Sequence, residues 1–118
     1  MKEIRNAQIT KVDLSMADHG VLTLELFIKS RPFECCIGGY VLGKGYLNAK
    51  EFKGYAKGIE EIMRIMDVVG VDRFNDMKGK YIRIETDGWG TIVHKIGHII
   101  EDKWFDYYEF YKEEREGK

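Results

Sequence analysis

Two of the three histidines, His94 and His98, lie four positions apart and are the first candidates for metal chemistry. That spacing would bring both rings to one face of a helix. The surrounding residues, however, predict a strand over Thr91–Ile100, and on a strand these two positions lie about 13 Å apart at ~3.3 Å per residue. One metal ion cannot bridge that gap, and neither cysteine belongs to a C-x-x-C pattern. We therefore expect no metal site and no cofactor.

The two cysteines, Cys35 and Cys36, are adjacent, so on a strand their side chains point to opposite faces and do not easily bond each other. We expect two reduced thiols in a cytosolic protein. A Cys–His catalytic pair would need one thiol near a histidine, and no motif indicates this. The acidic pairs Glu60–Glu61 and Glu113–Glu114 lie on predicted helix faces, where solvated charge is expected. The sequence therefore predicts no catalytic centre.

Trp89 stands between two glycines in the predicted turn Asp87–Gly90, where little local core is available for a large ring. One interpretation is that the indole folds back over its own hairpin. The other is that it forms a platform for a flat ring such as adenine, with a stacking contact worth about 1–3 kcal/mol. Arginines could complete such a site, because a guanidinium binds phosphate with two parallel hydrogen bonds. The candidates are Arg64, Arg83 and Arg115, and for each the alternative is a surface salt bridge.

The elements that would position these side chains follow from the hydrophobic pattern. It predicts strands over Ile4–Leu14, Val21–Lys29, Phe33–Ile37, Lys80–Thr86 and Thr91–Ile100. The first two strands and the last two should form hairpins, and a change of parity predicts a bulge near Thr10–Lys11. The glycines after the third strand, Gly38-Gly39-Tyr40 and Gly43-Lys44-Gly45, lack phosphate-loop spacing and favour a glycine-rich turn.

A helix is predicted over Gly54–Val69, with Gly70 as its left-handed cap. Its apolar residues recur at spacings of three and four and predict a core-facing stripe of Ile59, Ile62, Met63, Met66 and Val69. A short aromatic helix, Tyr107 to about Glu116, should follow and pack on its own sheet or on a partner subunit. The expected fold class is α+β: an antiparallel sheet of two hairpins plus a third strand, one long helix and a C-terminal aromatic helix.

The composition of the chain restricts the number of domains and the classes of partner that we expect. The 118 residues are 44% hydrophobic, which suits a single domain spanning 1–118. The net charge of -1 disfavours a duplex nucleic-acid partner, which usually requires a basic excess. No stretch is typical of a signal peptide or a transmembrane helix, so we expect no membrane partner.

Five segments spread over nearly the whole chain carry a resemblance to a known family. They read ADHGVLTLEL, CIGGYVL, KGIEEIMRIMDVVGVDRF, MKGKYIRIETDGWG and KIGHIIEDKWFD. In their order the chain resembles the anti-Thoeris sponge family of phages and prophages of Gram-positive bacteria. The resemblance implies a non-enzymatic counter-defence protein in the cytoplasm of the infected bacterial host. Such a protein sequesters cyclic ADP-ribose isomers made by TIR-domain enzymes, without cleaving them.

The resemblance also implies a ligand site. The family pocket uses an arginine on the long helix, an aromatic residue in the late hairpin, a polar side chain on the last strand and an arginine near the C-terminus. These positions correspond here to Arg64, Trp89, His98 and Arg115, with His98 standing where an amide is expected. Members are dimers or assemblies of dimers with the pocket at the subunit interface, and some bind cyclic oligonucleotides at a separate site.

Two further predictions stand beside this interpretation. The aromatic segment Trp104–Tyr111 is more apolar than one small sheet obviously needs, which favours a homo-oligomer. The alternative function is a phage inhibitor that acts by protein–protein binding to a host defence protein, as anti-CRISPR proteins do, and that needs no small-molecule pocket.

Overall fold

A seven-stranded antiparallel sheet dominates the computed structural model, which describes residues 2–46, 51–88 and 90–112. Its strands are β1 (Glu3–Asp18), β2 (Val21–Ser30), β3 (Phe33–Tyr46), β4 (Glu51–Gly54), β5 (Tyr81–Thr86), β6 (Lys95–His98) and β7 (Trp104–Asp106). Their spatial order is β4-β3-β2-β1-β5-β6-β7. The helices are α1 (Ala56–Val69), a 3-10 turn (Phe74–Met77) and the short α2 (Tyr107–Phe110). The predicted α+β class is confirmed.

Both predicted hairpins are present, since β1 pairs with β2 and β5 pairs with β6. The predicted strand Thr91–Ile100 is too long, because β6 covers only Lys95–His98 and His94 precedes it. The predicted bulge is confirmed, because the β1–β2 register shifts between Ile9 and Lys11. The hydroxyl of the extra residue, Thr10, donates to the Phe27 carbonyl at 3.1 Å. The predicted cap of α1 is also confirmed: Gly70 has a φ of 89°, and its N–H donates to the Met66 carbonyl.

The predicted glycine-rich turn is wrong, because β3 continues through it to Tyr46 and then pairs with β4, a strand that the pattern did not predict. Gly38 and Gly39, with φ values of 101° and 85°, interrupt the alternation without ending the strand. Gly43 allows the close approach of β4, since a Cβ there would lie 2.8 Å from the Lys53 carbonyl oxygen. The glycines therefore serve strand pairing.

The predicted core stripe of α1 is wrong at two of its five residues, and Val69 is buried as predicted. Ile59 and Met63 are 60% and 65% exposed, whereas Ile62 and Met66 are partly buried. The buried positions are Gly58, Glu61, Ile65, Val68 and Val69. Two contacts explain why the buried face of α1 is rotated from the predicted one. Gly58 has no side chain and lies against Leu42, and Glu61 enters the core through a hydrogen bond with Tyr111. An apolar strip on the outer side of α1 results.

A stack of aromatic rings connects β3 with β7, two strands that are far apart in the order of the sheet. Tyr40 on β3 is stacked between Tyr107 and Tyr111, with ring centroids at 5.3 Å and 4.5 Å. Tyr107 in turn meets Phe105 of β7 edge-on at 4.9 Å. The C-terminal aromatic segment thus packs on its own sheet, and the contacts with β3 curl the sheet around α1. No helix in the described part of the chain is long and apolar enough to cross a membrane.

Candidate functional site

Two of the four sequence-predicted site residues, Trp89 and Arg115, lie outside the described residues. Arg64 lies on the exposed side of α1, where its Nε donates to Glu60 Oε2 at 2.6 Å. Its guanidinium is also 5.8 Å from the ring centroid of Phe110 in α2. Arg64 therefore borders the segment that leads towards the C-terminus.

His98 has a structural role that the sequence did not indicate. Its Nδ1 accepts hydrogen bonds from the backbone N–H groups of Ile100 and Glu101, at 3.0 Å and 2.9 Å. The ring proton then belongs on Nε2, which faces the backbone at Gly70. His98 thus caps the turn after β6 at the C-terminal end of α1, with neighbours different from those of Arg64.

At the other end of α1 a cleft opens between the helix and β3. It has a volume of about 690 Å³. We call it the tyrosine cleft; its lining residues are Tyr40, Val41, Gly54, Tyr55, Ala56, Lys57 and Tyr111. Since Tyr40 and Tyr111 are stacked with an interplanar angle of 7°, one wall is a rigid pair of parallel rings. The faces of Tyr40 are covered by Tyr107 and Tyr111, so the ring that this cleft offers to a flat group is that of the half-buried Tyr55.

The first turn of α1 makes the tyrosine cleft electropositive. Tyr55 is the N-cap, yet in the described structure no side chain caps this helix end and no acidic residue lies in its first turn. Within its own first turn, the 14-residue helix therefore has no acidic side chain that offsets its partial positive charge. Lys57 adds a full charge, with its ammonium group 4.4 Å from the Phe110 ring centroid and bonded to the Phe110 carbonyl. An anionic group is favoured here.

Beneath the cleft lies a buried acid. Glu61 is 0% exposed, so the expectation of solvated charge for Glu60–Glu61 is wrong at this residue. Its Oε1 accepts a hydrogen bond from the Tyr111 hydroxyl, while Oε2 and the Tyr107 hydroxyl have no partner among the described residues. Burial raises the pKa of Glu61 to about 7, and the bond from Tyr111 lowers it by less.

The cysteines lie on β3 as expected, Cys35 half-buried and Cys36 exposed, and both are free thiols. Burial raises the pKa of Cys35. Burial, followed by the hydrogen bond to Glu25, raises the pKa of Cys36 to about 11. Because the thiolate is the nucleophile, neither cysteine is activated at neutral pH.

His94 makes a hydrogen bond and a ring-stacking contact with residues of the C-terminal segment. Its Nδ1 lies 3.0 Å from Asp106 Oδ1, and its ring stacks on Tyr108 with centroids 3.7 Å apart. Asp106 Oδ1 also accepts from the N–H of Tyr108 and so caps α2. No group of three or more His, Cys, Asp or Glu side chains that could hold a metal occurs within residues 2–46, 51–88 and 90–112.

Sequence reasoning missed one aromatic–cation pair. Trp104 covers Gly97, where a Cβ would come within 2.5 Å of the indole, and Arg83 lies 4.7 Å from the ring centroid. Arg83 also donates to the carbonyls of His98 and Glu101, which fixes its guanidinium on the outer face of the sheet. The signal was the pairing of Arg83, Gly97 and Trp104 across three strands, which is visible only once the register is known.

Comparison of the chain with protein-family models, curated proteins and solved structures finds no significant match to any of them.

Proposed function

We propose that the protein binds a cyclic ADP-ribose-type nucleotide and sequesters it without cleaving it. It would thereby act as a phage or prophage counter-defence protein that blocks TIR-based immunity in the cytoplasm of the host. The tyrosine cleft carries this proposal, because it combines parallel aromatic rings with the positive end of α1. Membership of the anti-Thoeris sponge family is part of the proposal and comes from the sequence resemblance.

The chemistry of the cleft matches the two parts of such a ligand. An adenine ring can stack on Tyr55, and a pyrophosphate is favoured by Lys57 and by the N–H groups at the start of α1. Arg64 lies seven residues beyond Lys57, about two helical turns along the same side, and both contact Phe110. Arg64 does not line the cleft itself, and its place in the proposal is to approach a bound phosphate from the far side of Phe110.

The same lining supports binding without cleavage. Among the described residues that line the cleft, the ionisable groups are Lys57 and three tyrosines, with no carboxylate, histidine or cysteine. Glu61 lies behind the wall, fully buried and bonded to Tyr111. Histidine and carboxylates are the commonest general acids and bases, and their absence from the described lining favours retention of an intact ligand.

A direct test is calorimetry with cyclic ADP-ribose isomers. Tyr55→Ala should remove a stacking contact of about 1–3 kcal/mol and weaken binding roughly 5- to 150-fold. Lys57→Ala should weaken it by about tenfold or more through loss of a charge-assisted contact. The matched controls are Tyr81→Ala and Lys78→Ala, which alter exposed side chains away from the cleft and should bind like wild type.

Heating the loaded protein and analysing the released compound completes the test. A sponge returns the isomer intact, whereas recovery of a cleaved product would mean an enzyme. Failure of the wild-type protein to bind any isomer would refute the proposed function.

A second candidate, an inhibitor that binds a host defence protein, is favoured by one observation. Ile59 and Met63 form an exposed apolar strip on α1, and solvent-exposed apolar patches are typical of protein interfaces. In that case Met63→Lys would abolish counter-defence activity in infected cells, and no isomer would bind.

A further inference from the structure

Glu61 lies directly behind the wall of the tyrosine cleft. It is 0% exposed, and its Oε1 accepts a hydrogen bond from the hydroxyl of Tyr111, which lines the cleft. It also lies four residues beyond Lys57, about 6 Å along α1 from the helix end where an anionic group is favoured. The carboxyl group is therefore close to the cleft while it is shielded from solvent.

Among the described residues, Glu61 has no cationic partner. The ionisable side chains around it on neighbouring elements are tyrosines: Tyr40 of β3, Tyr107 of α2 and Tyr111 after α2. On its own helix, Lys57 donates to the Phe110 carbonyl and Arg64 pairs with Glu60. A negative charge on Glu61 would thus act on the cleft without a counter-ion, through an interior where screening by salt is weak.

We propose that the tyrosine cleft binds its anionic ligand together with one proton, which Glu61 takes up from the solvent. An ionised Glu61 and an anionic ligand repel each other across the wall, whereas the neutral acid does not oppose the ligand. Linkage makes the effect reciprocal, because a ligand that favours the protonated acid is bound more weakly when the acid ionises. The inference rests on the proposed function, since it concerns the same cleft and the same anionic nucleotide.

The direction of the pH dependence follows from the state of the free protein. Burial raises the pKa of Glu61 to about 7, so the acid is mostly neutral at pH 6 and mostly ionised at pH 8. A ligand that requires the neutral acid then binds about tenfold more weakly at pH 8 than at pH 6. The cleft would retain its ligand best under mildly acidic conditions.

Calorimetry with cyclic ADP-ribose isomers at pH 6 and pH 8 tests the dependence. Glu61→Gln keeps the shape of the side chain and its acceptor for Tyr111 but cannot ionise. This variant should bind like wild type at pH 6 and should keep that affinity at pH 8. Asp67→Asn is the matched control, because it removes an exposed carboxylate further along the same helix and should retain the tenfold loss of wild type.

Proton uptake gives a second readout that needs no variant. Binding to the wild-type protein at pH 7.5, measured in two buffers of different ionisation enthalpy, should take up as much as about 0.8 proton per ligand. Equal wild-type affinity at both pH values without proton uptake would overturn the inference and leave the proposed function standing. A pH dependence that persists in Glu61→Gln would also overturn it, by assigning the proton to another group. If no isomer binds at either pH, the proposed function fails and the inference fails with it.

Discussion

Glu61 is a carboxylic acid in a position that helical proteins usually give to an apolar side chain. It is fully buried, and its one hydrogen bond comes from the Tyr111 hydroxyl. A charged carboxylate there would lose its hydration, and one hydrogen bond does not offset that loss. The acid therefore stays protonated into the neutral range, with a pKa of about 7.

This shift links stability to pH. Since the folded pKa of about 7 lies above the ordinary value of 4.5, the folded state holds the proton more tightly. The free energy of unfolding should fall as the pH rises from about 4.5 to 7, by about 3 kcal/mol at 1.36 kcal/mol per pKa unit. Glu61→Gln keeps the shape and the acceptor for Tyr111 but removes the titration.

Urea unfolding of both proteins at pH 5 and pH 8 measures the effect. The variant should match wild type at pH 5 and exceed it at pH 8. Glu60→Gln, at the half-exposed neighbour that pairs with Arg64, should show the same fall between the two pH values as wild type. Parallel pH curves for wild type and Glu61→Gln would contradict the assignment of the neutral-range loss to this residue.

At the scale of elements, α1 depends on a close backbone approach. A Cβ on Gly58 would lie 2.6 Å from both the Cα and the carbonyl oxygen of Leu42, so the helix or β3 would have to move. Alanine gains about 1 kcal/mol of helix propensity over glycine, but overpacking against backbone costs about 1–3 kcal/mol or more. Gly58→Ala should therefore lower the free energy of unfolding and detach α1 from β3.

Gly54→Ala provides the comparison, because a Cβ there meets nothing within 4 Å. Its free energy of unfolding should stay within about 0.5 kcal/mol of wild type in urea titrations. If Gly58→Ala is as stable as Gly54→Ala, the contact with Leu42 does not limit the position of α1.

The same helix shows how far the sequence can predict the fold. Strand β2, the hairpins, the bulge at Thr10 and the Gly70 cap follow from local alternation and turn chemistry, and they were predicted. The buried face of α1 was not, because Gly58 and Glu61 are buried through a close approach and a hydrogen bond made by residues distant in sequence. A hydrophobic pattern counts Ile59 and Met63 as core and has no means of recognising such tertiary contacts.

The candidate site shows the same division. Arg64 was proposed from the sequence because it lies beside the apolar stripe on a clear helix, and its role in binding stays a prediction. The tyrosine cleft could not, because its wall combines Tyr40 of β3 with Tyr111 after α2, and their stacking depends on the curl of the whole sheet. Gly38–Gly45 had also been interpreted as a turn, which concealed that Tyr40 lies on a strand.

At the scale of the whole molecule, the aromatic stack replaces a hydrogen-bonded closure of the sheet. β3 and β7 are separated by β2, β1, β5 and β6, yet Tyr40 and Phe105 both contact Tyr107. A curled sheet held in this way can open only if the stack comes apart. The last strands and α2 should therefore share the stability of β3, although no ladder joins them directly.

Hydrogen exchange of Tyr40→Ala tests this coupling. Loss of this half-buried ring removes both stacking contacts and should cost about 1–3 kcal/mol, at about 0.5–1.5 kcal/mol for each aromatic pair. Exchange should accelerate in β7, which four intervening strands separate from β3, and in α2, as well as in β3 itself. Tyr81→Ala, at a residue exposed to 56%, should leave every region unchanged. Faster exchange confined to β2, β3 and β4 would mean that the hydrogen-bonded ladders hold the curl and that the stack merely fills space.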